Sequence, residues 1–154
     1  MNTPSSDKPL LALAAATANL MPESSPAWGK MRPQEMLEHL ITVVQGSQGA
    51  FVMPLVVAEQ KAAAYKQKSL LSDAPLPKLV QSPLYQNGLP SLQYPSLADA
   101  VSALHHALEN FYIHFNHSPD AAAVHPFFGS LNKAEWERFH TKHFTHHFSQ
   151  FGLL

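Results

Sequence analysis

Ten of the 154 residues are histidine, and four of these fall within eight positions near the end of the chain: His140, His143, His146 and His147. They are interleaved with aromatics in the stretch Glu135-Trp136-Glu137-Arg138-Phe139-His140-Thr141-Lys142-His143-Phe144-Thr145-His146-His147-Phe148-Ser149-Gln150-Phe151. Imidazole ligates divalent metals, and on a helix residues four apart project from the same face, so His143 and His147 can reach one ion. His140 and His143, three apart, form a weaker pair. His146 points roughly a quarter turn away. Trp136, Phe144 and Phe151 share the face of His140, His143 and His147, which turns that face toward a core. Two core histidines bonded to carbonyls or water are the plain alternative.

Two imidazoles hold an ion loosely, so a site needs a third ligand from elsewhere. His39 is the best candidate. It lies between Met36 and Val43 on an apolar helical stripe, where an unpartnered imidazole loses its hydrogen bonds to water. A core histidine tied to a backbone carbonyl is the alternative there. Glu35, one turn earlier, could orient His39, add a weak fourth ligand, or simply favour the helix N-terminus. The segment His125-Pro126-Phe127-Phe128-Gly129-Ser130 carries two phenylalanines that water would not favour. It either folds over the helices as a lid, with His125 lining a pocket, or plugs their end. His105 is a further pocket candidate on the apolar side of its helix, and Gln150 lies near the ligand face. His106, His114 and His117 read as surface.

Four helices must position these groups. The first runs from Pro9 to Met21, with Pro9 suited to an initial helical position. The second begins near Pro33, carries Met36, Leu40, Val43 and Ser47 at helical spacing, and weakens at Gly46 and Gly49. Ser96-Leu97-Ala98-Asp99 approximates a capping box and opens the third, whose core stripe is Leu97, Val101, Leu104, Leu108, Tyr112 and Phe115, ending near Asn116. Asn132 to Glu135 repeats that logic for the fourth, which ends at Gly152. Between the second and third helices, Leu55 to Lys66 could add a helical stretch. Ser69 to Pro95 is then interrupted by Pro75, Pro77, Pro83, Pro90 and Pro95, which makes it a long crossover. No segment shows a convincing strand period. The expectation is one all-α domain over residues 1–154, a four-helix bundle with a long Pro-rich crossover.

Composition narrows the function classes. Eleven acidic residues against ten basic ones give a formal net charge of −1, which supplies no field for nucleic acid or an anionic membrane. Lys61, Lys66 and Lys68 form only a loose cluster that reads as a solvated face. There is no cysteine, hence no disulfide, no cysteine–metal site and no thiolate nucleophile of the protein's own. Gly46-Ser47-Gln48-Gly49 lacks nucleophile-elbow spacing, and glycine-rich phosphate loops are missing. The apolar run Leu10 to Leu20 is too short for a bilayer, and Asp7 beside Lys8 argues against a signal peptide. A soluble, cytoplasmic protein is expected.

Taken in order, several blocks resemble the DinB/YfiT-like superfamily. They are Trp28-Gly29-Lys30-Met31, Glu35 through Leu40, His125 through Gly129, Glu135-Trp136 through His143, and His146-His147 with Gln150-Phe151-Gly152. The resemblance runs from about Trp28 to the end and is loose over Phe51 to Tyr94. It implies a four-helix bundle, homodimeric, with a divalent metal on three histidines, one from the second helix and two from an HxxxH on the last. Those roles fall on His39, His143 and His147. It further implies a metal-dependent transferase or isomerase using a low-molecular-weight thiol. Three neutral imidazoles leave an open position on zinc or nickel, where an exogenous thiol or water could be activated for a small-molecule substrate. A non-catalytic bundle that binds a small ligand or metal is the competing expectation.

Overall fold

The structure is a computed structural model and describes residues 7–154; the first six positions of the expected domain lie outside the described residues. Pro9 opens α1 (Pro9–Ala14), which gives way to a 3-10 turn over Ala15–Asn19. The regular helix is therefore shorter than the expected stretch to Met21. Thr17 explains where it ends: its hydroxyl donates to the Ala14 carbonyl at 2.7 Å and competes with the backbone ladder. Helix α2 (Pro33–Ser47) starts with Pro33 in its first turn, and Glu35 Oε1 accepts from the Arg32 amide at 2.8 Å. Helix α3 (Glu59–Tyr65) confirms the core of the expected Leu55 to Lys66 stretch and continues into a π-helical turn over Lys66–Leu70.

Helix α4 (Leu97–His117) is capped by Ser96, whose Oγ accepts from the Asp99 amide at 3.1 Å. The box is only half formed, because Asp99 reaches the Ser96 hydroxyl instead of its amide. After α4 come two strands, β1 (Ala123–His125) and β2 (Gly129–Leu131), paired antiparallel with His125 opposite Gly129. This hairpin corrects the all-α expectation. Each strand has three residues, too few to show a two-residue period. Helix α5 (Lys133–Gln150) has a complete capping box: Asn132 Oδ1 accepts from the Glu135 amide at 2.9 Å and Glu135 Oε1 from the Asn132 amide at 3.1 Å. It closes at Gly152, whose φ of 70° lets the Leu153 amide turn back onto the Phe148 carbonyl.

The chain is thus mostly helical, with a small two-stranded sheet. Helix α2 packs chiefly on α4 and also on α5, while α1 packs on both α4 and α5. Their shared core contains the expected α2 residues Met36, Leu40 and Val43, joined by Leu37, Ile41 and Val44. On α4 the inward stripe is Ala100, Leu104, Ala107, Leu108, Phe111, Tyr112 and Phe115, with Leu97 and Val101 at its edge. Trp136 is fully enclosed and donates from Nε1 to the Ala123 carbonyl, fastening α5 to the hairpin.

The segment from Leu71 to Pro95 contains one further 3-10 turn, Pro83–Tyr85. It is fastened at both ends. Near its start, Arg138 donates to the Leu70 and Ser72 carbonyls, and Lys142 Nζ to those of Ser69, Ser72 and Ala74, each at 2.6 Å. Near its end, Glu38 accepts from the amides of Gln93 and Tyr94. Lys66, expected on a solvated face, instead pairs with Glu135 at 2.8 Å. No described helix is long and apolar enough to cross a membrane.

Candidate metal centre

Helix α2 delivers His39 and helix α5 delivers His143 and His147 to one point between them. Nε2 of His143 lies 2.9 Å from Nε2 of His39 and 3.2 Å from Nε2 of His147. One nitrogen of each ring falls within 4.8 Å of the other two, and among the described residues this is the group of three or more His, Asp and Glu that meets metal-site spacing. Zinc–nitrogen bonds of about 2.0 Å would separate tetrahedral ligand nitrogens by about 3.3 Å, close to both of these distances.

All three rings are buried. Burial disfavours the imidazolium form: it lowers His39 to about 3 and His147 to about 4, and pushes His143 well below the usual histidine range. His147 also disfavours a proton on His39, and both of these rings disfavour one on His143. At neutral pH the cluster is therefore uncharged and offers lone pairs in place of protons.

The outer nitrogens complete the setting. His39 Nδ1 is 2.9 Å from the Tyr85 hydroxyl, and His147 Nδ1 is 2.9 Å from Gln150 Oε1. Gln150 Nε2 in turn donates to the Trp28 carbonyl at 2.6 Å. His143 Nδ1 is buried with no hydrogen-bond partner among the described residues. These residues fit a divalent cation. Three inner nitrogens face one another, a crowding of lone pairs that a cation relieves and that imidazole-to-imidazole hydrogen bonding relieves only in part.

The other candidates fall elsewhere. Glu35 makes its hydrogen bonds with Arg32 and not with His39. It accepts from the backbone and side chain of Arg32, and although burial works against its ionisation, those bonds hold its carboxyl below the usual range. His140 is fully enclosed but bonds Ser47 Oγ at 2.9 Å, with its ring stacked on Trp136. His125 stacks on Phe128 and meets Phe139 edge-on, while its Nδ1 accepts from the Phe127 amide. Burial lowers both His140 and His125 to about 3. Phe128 is buried and Phe127 partly so, placing the phenylalanines within the packing of the hairpin turn. His105 is half-buried on α4, outside the cluster and outside the cleft beside it. His146 meets Trp28 edge-on, consistent with its separate direction from His147.

That cleft, of ≈ 260 Å³, lies between α2 and the crossover. His39 and Tyr85 belong to its wall, together with Glu35, Glu38, Leu89 and Leu92. Burial pushes the Tyr85 hydroxyl up to about 12, so it remains a neutral phenol. Sequence reasoning missed Tyr85. Its only local signal is the turn-forming Ser82-Pro83 before it, and no periodicity places an irregular segment against a particular helix. The part played by Trp28 and Gly29 was also missed, since their block entered only through the resemblance.

No curated protein and no solved structure matches the chain. Residues 10–152 match the family described as Protein of unknown function (DUF1569), and with nearly the whole sequence covered the chain belongs to that family.

Proposed function

We propose that His39, His143 and His147 bind a divalent metal ion, zinc or nickel, and that the protein is a metal-dependent transferase acting on an exogenous thiol or water. The observation that carries this reading is the convergence of the three Nε2 atoms from α2 and α5. When bound, such an ion acidifies a coordinated water or thiol and leaves it a nucleophile at neutral pH. The protein's own contribution is uncharged throughout: three neutral imidazoles, backed by a phenol and an amide where many sites place carboxylates. Such a donor set leaves the full cationic charge to favour an anionic fourth ligand. With no cysteine in the chain, a thiol must come from a cosubstrate, and the cleft along His39 and Tyr85 gives a small molecule a way to the site.

The mutual packing of α1, α2, α4 and α5 supports a four-helix bundle of the DinB/YfiT-like kind, with the α2–α4 connection as its long crossover. The proposed homodimer rests on that resemblance, and the proposed cytoplasmic setting on the short apolar run Leu10 to Leu20 with Asp7 beside Lys8 before it. A second reading is a non-catalytic binding protein, favoured by the depth of the site: each of the three rings is at most 8% exposed.

Metal analysis of untagged protein tests the site. One equivalent of metal is expected in the wild type and none in His39→Ala or His143→Ala. Metal-free wild-type protein after zinc and nickel loading overturns the reading. Turnover of thiol-plus-electrophile pairs by the loaded protein separates the enzyme from the binding protein.

A further inference from the structure

We propose that Gln150 is a positioning residue that dictates which nitrogen of His147 carries the proton, and that the Ala27-Trp28-Gly29 turn holds Gln150 in the one orientation able to do so. A carbonyl oxygen only accepts hydrogen bonds. Gln150 Nε2, 2.6 Å from the Trp28 carbonyl, must therefore be the amide's NH2 end, which directs Oε1 at His147 Nδ1, 2.9 Å away. That oxygen also only accepts, so Nδ1 bears the hydrogen. In the neutral ring Nε2 is then a bare lone pair, and it points at His143. Flipping the amide would set carbonyl against carbonyl on one side and NH2 against N–H on the other.

Two more contacts show that the turn is shaped around this amide. The Ala27 amide donates to the backbone carbonyl of Gln150 at 2.7 Å, so the turn grips main chain and side chain together. Gly29 has a φ of 78°, and a Cβ built there would lie 2.7 Å from Gln150 Nε2. Any side chain at position 29 would both strain the turn and push the amide away from Trp28. The partner of His39 is less decisive, because the Tyr85 hydroxyl can donate or accept. The turn near the start of the chain thus sets the chemical state of a ring on the last helix. The tautomer stands independently of any metal; only its effect on affinity rests on the proposed function.

The test uses metal-free protein with 15N-labelled histidine, read by long-range proton–nitrogen correlation, followed by titration with Zn2+ against a competing chelator. In the wild type His147 is expected wholly as the Nδ1–H tautomer. Gln150→Leu and Gly29→Ala should give mixed tautomers at His147 and a zinc affinity lower by about 10- to 100-fold, the usual cost of losing a ligand's outer hydrogen bond. A purely structural role would lower thermal stability and leave the tautomer unchanged. Nε2–H at His147 in the wild type overturns the proposal, as does a wild-type tautomer in both variants. Should neither variant fold, the wild-type tautomer decides. Failure of the wild type to take up zinc, with the tautomers as expected, would count against the metal site alone.

Discussion

His140 and His143 sit three residues apart on α5, both enclosed, yet their surroundings assign them different tasks. The Ser47 hydroxyl donates to the Val44 carbonyl at 2.6 Å, so towards His140 it can only accept. His140 is thereby held as its Nε2–H form and ties α5 to α2, away from the convergence around His143. Ser47→Ala should strand that N–H in the core and cost about 1–3 kcal/mol in urea unfolding, with metal content unchanged. Loss of metal with little loss of stability would reverse the assignment. Helical spacing placed both rings on an inward face, and it placed His39 on the apolar stripe of α2. It could not say which ring finds a hydroxyl and which finds other imidazoles, because that depends on the register between two helices. Tyr85 was beyond reach for a related reason: its contact with His39 is made by tertiary folding of an irregular segment.

At the scale of elements, the long helices were legible because their signals are local. Asn132 and Glu135 satisfy each other's amides within four residues of sequence, and the apolar stripe of α4 repeats over several turns. Asn132→Ala should cost about 1 kcal/mol and lower Tm by roughly 2–4 °C for a chain of this size, measured by thermal unfolding of metal-free protein. An unchanged Tm would show that the cap contributes nothing. The elements that escaped are the short ones. Thr17 cuts α1 early through a single side-chain bond, and the strands of the hairpin owe their pairing to the turn between them. The π-helical turn after α3 depends on partners distant in sequence, as Lys142 takes the Ser69 carbonyl.

For the molecule as a whole, the buried imidazoles couple stability to pH. His39, His125 and His140 are lowered to about 3 and His147 to about 4 by burial, whereas the unfolded chain protonates histidine near 6.5. Between those values the unfolded state binds more protons than the folded state. Stability of the metal-free protein is therefore full above about pH 6.5 and declines as the pH falls toward the folded values. Each such group contributes a slope of about 1.4 kcal/mol per pH unit within that window. Denaturant midpoints measured from pH 7 to 4 should fall steeply, and a flat profile would mean that these rings protonate in place.

The crossover clamp has a different sensitivity. Besides an exposed Arg138–Asp73 pair at 3.6 Å, Arg138 and Lys142 hold the start of the crossover through backbone carbonyls. These are contacts between a charge and an oriented dipole at hydrogen-bond distance, shorter than the Debye length of about 3 Å that even 1 M salt provides. Mobile ions screen separated charges, but they do not enter such a contact. Amide exchange over Leu70 to Leu76 is accordingly expected to be the same at low ionic strength and in 1 M sodium chloride, and acceleration by salt would show that separated charges hold the segment down. The start of the crossover is thus fastened chiefly by contacts that brine does not loosen.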